Sequence, residues 1–234
     1  MKGAAKSLIE SSPPYTRRLL NISYQCTFKF FPHTFKFAQS VAYHTYFFAI
    51  IGKQFDGLNL GSGSAKIKNF CNIDANPYAL SDVVAGIEKL KLRSNSVDVI
   101  YNSHVFEHVP RAQSKKVLAE WYRVLKHGGK LYICLPDLEV LFRIYLYNLT
   151  LYSTEQGKYL ADMACGVTYG GQISKYDFHF YGYSFVTLKN MLESVGFQNV
   201  RRFDRSKLEF VPFTDASMAS IDGVSVSLNI ECSK

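Results

Sequence analysis

Short apolar runs that end in glycine or in polar residues recur through the middle of the chain. Runs of this kind predict strands that are buried in a sheet. Between and after them come segments in which apolar residues recur at helical spacing, and this alternation predicts an open α/β sheet. The predicted strands are Leu58–Leu60, Phe70–Ile73, Ser96–Asn102 and Lys130–Pro136.

Three segments carry the spacing of helices. The first is Ser114–Leu125, with Gly128 as its stop, and the second is Leu138–Asn148. The third begins after Ser184, a favoured N-cap residue, and ends at Gly196, since glycine readily closes a helix.

Two further segments complete the predicted domain. Residues 149–183, between the second and third helices, are rich in aromatic residues and glycine and predict an insertion. Residues 199–203 and 224–232 follow the third helix and predict an antiparallel hairpin that closes the sheet.

The strongest chemical signal lies where the first predicted strand ends. Gly61 and Gly63 follow it, and such glycines permit positive φ angles and a close approach of ligand to backbone. Asp74 ends the next predicted strand, where a carboxylate suits the two hydroxyls of a ribose. Lys66 stands where the dinucleotide fingerprint requires its third glycine, Asp74 comes too early for that fingerprint, and no P-loop lysine follows. The pattern therefore predicts a nucleoside site, but argues against NAD and FAD.

At these residues the chain resembles the class I S-adenosylmethionine-dependent methyltransferases, and more narrowly the small bacterial-type enzymes of polysaccharide-biosynthesis clusters. The resemblance covers residues 57–140 and, more weakly, 169–234. It implies a Rossmann-like α/β fold with a mostly parallel seven-stranded sheet, one antiparallel strand and an N-terminal helical extension. The segments that carry it are LNLGSGS, NIDANP, NSVDVIYNSHVFEHV, RVLKHGGKLYICLPDL, YGGQ, DFHFYGY, SVGF and SLNIE.

The resemblance implies S-adenosyl-L-methionine as the cofactor. The glycine loop would line the methionine and ribose part, and Asp74 would accept from the ribose hydroxyls. His104 would lie near the transferable methyl group. The implied cofactor-binding residues are Asn59, Gly61, Ser62, Gly63, Asp74, Ala75, Asn76, Gly86, Ile87, Glu88, Asn102, Ser103 and His104.

Two features depart from the family pattern. Six residues separate Gly63 from Phe70, fewer than the dozen or so of a helical crossover, which predicts that the first helix is reduced to a turn. Gly86 stands where the family commonly has an acid that accepts from the adenine amino group. Backbone groups of Ile87 and Glu88 would then read the adenine edge, with Ile87 packing on its face.

The insertion at 149–183 is where this fold grows its acceptor pocket. Aromatic side chains flanked by Gln, Asp and His suit a sugar or another polyhydroxylated acceptor, although long insertions are often loops packed by their own aromatics. The predicted acceptor-binding residues are Tyr169, Gln172, Asp177 and His179. Because imidazole is neutral near physiological pH, His104 and His179 are the predicted general bases for a hydroxyl acceptor.

Two other functions stay open. A non-catalytic binding or scaffold protein of the same fold is favoured by Gly86 and by the short crossover. Residues 104–108 also fit the H-x-x-E-H pattern of zinc hydrolases, in which two histidines share one helical face. Val109 and Pro110 follow at once, and the residue before proline is disfavoured in a helix. We therefore expect no metal, with Glu107 and His108 hydrogen-bonding to hold the loop.

Net charge and cysteine usage indicate which partners and which compartment to expect. The net charge is +8, and residues 1–56 hold seven Lys or Arg against Glu10 and Asp56. These residues predict a basic, aromatic helical extension, packed on the sheet or in weak peripheral contact with an anionic membrane, before a catalytic domain at 57–234. No nucleic-acid-binding signature occurs, so the expected partner is a small-molecule or saccharide acceptor. The five cysteines lack a C-x-x-C pair, which predicts a reducing, cytoplasmic setting.

Overall fold

A computed structural model describes residues 55–211 and 215–234 of the chain. All but the last two residues of the predicted extension at 1–56 lie outside the described residues, so that extension stays a prediction. None of the helices in the described ranges is long and apolar enough to cross a membrane.

Seven strands of the described residues form one mixed sheet. They are β1 (Gly57–Leu60), β2 (Phe70–Asp74), β3 (Val83–Val84), β4 (Val97–Ser103), β5 (Leu125–Pro136), β6 (Gln198–Arg202) and β9 (Ser227–Ser233). Their order across the sheet is β3-β2-β1-β4-β5-β9-β6. Neighbours from β3 to β5 pair in parallel, and β9 is antiparallel to both β5 and β6. The predicted Rossmann-like sheet with one reversed strand is confirmed.

Four α-helices of the described chain are α1 (Arg111–Val124), α2 (Leu138–Thr150), α3 (Glu155–Tyr169) and α4 (Phe185–Val195). Side-chain caps fix where three of them begin. Asp137 caps α2 and Thr154 caps α3 by accepting from backbone N–H groups of the first turn. Ser184 and Thr187 form a reciprocal capping box on α4, and Gly196 ends that helix in the left-handed region, so both predicted ends of α4 are confirmed.

Two predicted boundaries are wrong. The first helix ends at Val124, and Leu125 already has extended backbone and begins β5. Gly128 is therefore not its stop: with φ of 78° it lies inside β5, where the pairing with β4 is irregular. Val224 also does not belong to the last strand of the sheet, since β7 (Ser220–Ile221) and β8 (Val224–Ser225) form a separate two-stranded ribbon.

The helix α3 was missed inside the insertion at 149–183. Its sequence contains Gly157 and Gly166, which weaken a helix by about 1 kcal/mol each relative to alanine. Tertiary packing overrides this cost, because Leu160 and Ala164 are buried against Leu141 of α2 in one apolar cluster. The insertion is thus about half helix, and its remaining extended part, residues 170–183, contains one turn and ends in a bridge between Tyr183 and Asp137.

An aromatic cluster joins the insertion to the centre of the domain. The ring of Phe106, which follows β4, lies 5.6 Å from Trp121 of α1 and 5.2 Å from Tyr183 at the end of the insertion. The hydroxyl of Tyr183 donates to Ser114 Oγ at 2.8 Å. All three rings are fully buried, so the segment that follows β4 and the end of the insertion share one core.

The connection from β1 to β2 contains no helix, as predicted. Residues 61–69, all of them described, form turns, and a buried asparagine holds them. Asn72 Oδ1 accepts from Asn59 Nδ2 at 2.9 Å and from the Ile67 N–H at 2.8 Å. Its amide nitrogen donates to Asp82 Oδ2 at 2.7 Å. Because every polar atom of this buried amide is satisfied, Asn72 supports the turn that a crossover helix would otherwise support.

We expect Asn72→Ala to lower the free energy of unfolding by about 3 kcal/mol. The substitution removes the oxygen that accepts from the buried N–H groups of Asn59 and Ile67, and each lost acceptor costs ~1–3 kcal/mol. Urea titration followed by circular dichroism measures this. The matched control is Asn190→Ala on the exposed face of α4, for which we expect a change within about 0.5 kcal/mol. Equal effects of the two substitutions would contradict the role given to Asn72.

Candidate functional site

The loop after β1 closes over the end of β2. Since β1 and β2 are parallel, their carboxyl ends meet at the same edge of the sheet, where open α/β folds bind ligands. The N–H groups of Gly61 and Ser62 both donate to the Ile73 carbonyl, at 2.7 and 3.0 Å. The Gly63 N–H donates to Asp74 Oδ2 at 2.7 Å. The glycine loop and Asp74 therefore form one structural unit.

Asp74 accepts one backbone N–H on each carboxylate oxygen. Besides Gly63 on Oδ2, the Asn76 N–H donates to Oδ1 at 2.7 Å. A carboxylate has about four acceptor sites, so each oxygen keeps capacity for one further donor. This arrangement caps the turn and leaves room for a pair of hydroxyl donors at the same time.

Two glycines of the loop face different surroundings. A Cβ on Gly61, whose φ is 73°, would collide with the side chain of Val105, whereas a Cβ on Gly63 would meet nothing within 4 Å among the described residues. Gly61 is thus required by close packing against the segment after β4, while Gly63 faces open space. A ligand at this edge would lie against Gly63.

Three polar side chains near this edge are buried. Asn59 donates to the Ala65 carbonyl at 2.8 Å besides its bond to Asn72, so its amide supports the loop. Asn102 donates to the Leu60 carbonyl at 2.9 Å. Its Oδ1 and Ser62 Oγ have no hydrogen-bond partner among the described residues. Buried polar atoms without a partner are rare and often mark the place of a ligand or water, which fits a bound nucleoside.

The core supports residues 86–88, which are predicted to bind the adenine. Ile87 is buried, and its carbonyl accepts from Trp121 Nε1 at 3.0 Å. The exposed Glu88 folds its carboxylate over Gly86, so that a Cβ on Gly86 would collide with it. This carboxylate lies next to the position where the family commonly has an acid. Ala75, the remaining predicted residue beside Asp74, is exposed.

The segment after β4 turns sharply. His104 follows Ser103, the last residue of the strand, and has φ of 51°, a left-handed value that a non-glycine residue adopts at a cost. One 3₁₀ turn then spans Phe106–His108 and ends before Pro110. His104 and His108 therefore do not share a helical face, and the geometry expected of a zinc-hydrolase helix is not formed.

A buried carboxyl group lies at the centre of an imidazole cluster. Glu107 Oε1 is 3.4 Å from His104 Nδ1 and 3.9 Å from His179 Nε2. The ring of His108 meets that of His179 edge to face at 4.8 Å. The structure thus brings together His104 and His179, the two predicted bases, with Glu107 between them. Sequence reasoning missed this central role of Glu107.

Burial sets the protonation states in this cluster. It raises the pKa of Glu107 to about 8, because an ion in an apolar environment is poorly solvated. It lowers the pKa of His104 to about 4, with the neighbouring His179 and His108 adding to the effect. Burial also lowers the pKa of His179. At neutral pH the imidazoles of His104 and His179 are therefore uncharged.

The extended part of the insertion docks on this cluster through the backbone. The N–H groups of Phe180 and Tyr181 donate to the Glu107 carbonyl, at 2.8 and 3.3 Å. The His179 N–H donates to the Tyr169 carbonyl, and the Gln172 N–H to the Asp177 carbonyl. The predicted acceptor residues thus belong to one folded segment. Its exposed aromatic side chains are Tyr169, Tyr176, Phe178, Phe180 and Tyr181.

His104 is also held from the side of β9. Its Nε2 lies 3.1 Å from Ser227 Oγ, and the carboxylate of the nearby Asp215 favours the charged form of the ring. Asp215 accepts from the Tyr101 hydroxyl at 2.8 Å. Although burial raises the pKa of Asp215, hydrogen bonds from Ser217 and Tyr101 outweigh it and hold that pKa below its usual value. No local sequence signal connects Asp215 with His104.

A family model described as a methyltransferase domain matches residues 42–133 of the chain, which is less than half of its length. The match begins before the first described strand and ends within β5. Together with the sheet order, this match indicates S-adenosylmethionine as the cofactor. None of the curated proteins matches the chain.

Solved structures described as SAM-dependent methyltransferases are similar to this chain. The one from Thermotoga maritima is 18% identical with a TM-score of 0.45, over 88% of this chain and 97% of that one. The one from Archaeoglobus fulgidus is 17% identical with a TM-score of 0.46, over 90% and 99%. The one from Methanosarcina mazei is 15% identical with a TM-score of 0.46, over 80% and 96%. All three TM-scores are below 0.5, so the fold assignment rests on the sheet itself.

We expect alanine at the two loop glycines to affect different properties: stability at Gly61 and ligand binding at Gly63. Gly61→Ala should lower the melting temperature, because its Cβ collides with Val105. Gly63→Ala should leave the protein folded, at a backbone cost of ~1–2 kcal/mol, yet weaken binding of S-adenosylhomocysteine, because its Cβ enters the ligand space. Thermal melts and titration calorimetry measure the two effects.

The variant Gly61→Ala/Val105→Ala is the control for the collision. It should recover part of the lost melting temperature, since the second substitution removes the γ-carbons of Val105. Unchanged ligand binding by Gly63→Ala would contradict a ligand position against this glycine.

Proposed function

We propose that the chain transfers a methyl group from S-adenosylmethionine to a hydroxyl of a small acceptor, a sugar or glycan. The observation that carries the proposal is the joining of two features at one sheet edge. The glycine loop bonded to Asp74 is packed through Gly61 and Val105 against the segment that holds Glu107 and the imidazoles. A donor site and an acceptor site would therefore lie next to each other, on either side of the contact between Gly61 and Val105.

On the donor side, Gly63 and Asp74 would bind the cofactor. The free acceptor capacity on Asp74 suits two ribose hydroxyls. Ser62 Oγ and Asn102 Oδ1, which have no hydrogen-bond partner in the described part of the chain, would supply further polar contacts. The cofactor supplies a sulfonium methyl group that is already activated for transfer. The protein then has mainly to hold donor and acceptor in line and to exclude water.

On the acceptor side, the exposed aromatics of the insertion would stack on a sugar ring. Aromatic faces bind the apolar faces of such rings, and Gln172 and Asp177 lie in the same segment to bond hydroxyl groups. His104 and His179 are the candidate general bases, because both rings lie beside the buried Glu107 at this edge. Both are uncharged at neutral pH and able to accept a proton.

We also infer that this chemistry takes place in a reducing compartment such as the cytoplasm. The four described cysteines, Cys71, Cys134, Cys165 and Cys232, are free thiols. Weak contact of residues 1–56 with an anionic membrane remains part of this proposal. Flotation with anionic vesicles that persists after deletion of residues 1–56 would contradict that contact.

The first test is binding of S-adenosylhomocysteine by the intact chain. We expect binding that Asp74→Ala weakens by ~10-fold or more, which corresponds to about 1.4 kcal/mol, as measured by titration calorimetry. Asp98→Ala is the matched control, since Asp98 is an exposed carboxylate that pairs with Lys126 near the start of β4, whereas the loop lies at the carboxyl ends of the parallel strands. Its affinity should equal that of the wild type.

Circular dichroism of Asp74→Ala separates lost binding from lost folding, because Asp74 also caps the turn. A folded wild-type chain that does not bind S-adenosylhomocysteine would contradict the proposal. That result would favour the non-catalytic binding or scaffold function instead. Gly86 and the short crossover also favour this alternative.

The second test concerns the acceptor side. We expect His104→Gln and His179→Gln each to slow methyl transfer, and the pair together to slow it by ~100-fold or more, in an assay with labelled S-adenosylmethionine and a panel of sugar acceptors. Binding of S-adenosylhomocysteine should stay within about 2-fold of the wild type, a difference of less than 0.5 kcal/mol. Full methylation by the double variant would exclude both histidines as bases.

A further inference from the structure

The carboxyl group of Glu107 is buried without a hydrogen-bond partner in the described part of the chain. Glu107 is 1% exposed, and neither carboxyl oxygen has a hydrogen-bond partner among residues 55–211 and 215–234. A buried polar group without partners is costly, and such groups call for a specific explanation, an ion among them. The backbone around Glu107 is well bonded by contrast, since its carbonyl accepts from Phe180 and Tyr181.

Besides His104, two imidazoles from different parts of the chain lie near this carboxyl group. One ligand atom from each of Glu107, His108 and His179 lies within 4.8 Å of the others. Glu107 Oε1 and His179 Nε2 are 3.9 Å apart. A tetrahedral cation with bonds of about 2.0–2.1 Å separates its ligands by roughly 3.4 Å. Small rotations of these side chains would therefore bring the three atoms to ligand distance.

His108 is oriented as metal ligands commonly are. His108 Nδ1 lies 2.9 Å from the Phe178 carbonyl, to which it must donate, and this leaves Nε2 with a free lone pair. His179 has its Nε2 3.9 Å from Glu107 Oε1. Histidine ligands of metals typically donate their other N–H to such a carbonyl, which fixes the tautomer and the ring orientation.

We infer that Glu107, His108 and His179 bind a divalent transition-metal cation at the acceptor end of the site. Two imidazoles and one carboxylate suit Zn²⁺, Mn²⁺ or Fe²⁺, and three protein ligands leave positions open for an exogenous oxygen. This set is not the H-x-x-E-H set of the zinc hydrolases, because His179 takes the place of His104. It also departs from the expectation of no metal drawn from the sequence.

The inference rests on the proposed function and refines it. A cation with open positions would bind the acceptor hydroxyl and lower its pKa. The hydroxyl proton passes to solvent water, the oxygen lone pair forms the new O–CH₃ bond, and the S–CH₃ bond breaks to leave a neutral thioether. No electrons are gained or lost. His179 then acts as a ligand, and the favoured acceptors are those with an oxygen that coordinates a cation.

The test is metal binding by the full chain after removal of metals with EDTA. Co²⁺ is the probe, because its visible absorption reports coordination by nitrogen and oxygen ligands, and Zn²⁺ is titrated by calorimetry. We expect one cation per chain. His108→Gln and His179→Gln should each weaken it by ~100-fold or more, beyond the 10–100-fold typical of outer-shell changes. His127→Gln, at an exposed position in β5, is the matched control and should bind as the wild type does.

Glu107→Gln provides a second variant that keeps the shape of the side chain. It should stay folded by circular dichroism and lose the Co²⁺ spectrum, even if a histidine variant fails to fold. A Co²⁺ spectrum that survives Glu107→Gln and both folded histidine variants would overturn the inference, and so would a wild-type chain that binds neither cation.

Binding of S-adenosylhomocysteine to the same samples separates this inference from the proposed function. S-adenosylhomocysteine binding without cation binding contradicts the cation site and leaves the proposed function standing. Cation binding by the three residues without S-adenosylhomocysteine binding supports the cation site and contradicts the proposed function.

Discussion

A single buried amide sets the geometry on which the candidate donor site depends. Asn72 bonds to the side chain of Asn59, the backbone of Ile67 and the carboxylate of Asp82, and so fixes the path of the chain between β1 and β2. That path brings the Gly63 N–H to Asp74. In larger α/β domains a crossover helix constrains such a loop by apolar packing. Here hydrogen bonds in a dry environment have that role, and they leave less tolerance for substitution.

The opposite side of the site depends on desolvation. Glu107 is enclosed by the segment after β4 and by the extended part of the insertion, and the same burial acts in opposite directions on the acid and on the imidazoles. Both effects remove charge from this end of the site. The uncharged carboxyl group of Glu107 and the neutral imidazoles beside it suit a neutral polyol, and they also favour any group that can satisfy the lone pairs of the carboxyl oxygens.

Sequence reasoning succeeded where local chemistry decides the structure. The strands β1, β2 and β4 follow from apolar runs with polar ends, and the limits of α4 follow from Ser184 and Gly196. It failed at α3, whose glycines conceal a helix that is stabilised by packing on Leu141. It also placed Gly128 at a helix end, because a glycine at a register shift has the same local signature as a helix stop.

In the candidate site, sequence reasoning could not predict contacts between residues that are far apart along the chain. The glycine loop and Asp74 are close in sequence, and the hydrogen bond between Gly63 and Asp74 is consistent with their proposed joint role. His108 and Phe178 are 70 positions apart, and no periodicity or spacing indicates that their segments meet. The position of Glu107 directly after the apolar residues Val105 and Phe106 was the local sign that it is buried, and it did not reveal which groups surround it.

The attachment of the insertion also bears on how such a chain can diverge. Tyr183 closes the insertion inside the core, through Phe106 and a hydrogen bond to Ser114, while the aromatic side chains before it stay exposed. The exposed aromatic residues, which we propose bind the acceptor, are thus energetically separate from the residue that secures the segment. Natural selection, or a designer grafting a new segment between α3 and Tyr183, could exchange one acceptor preference for another while the folding of the parent domain stays intact.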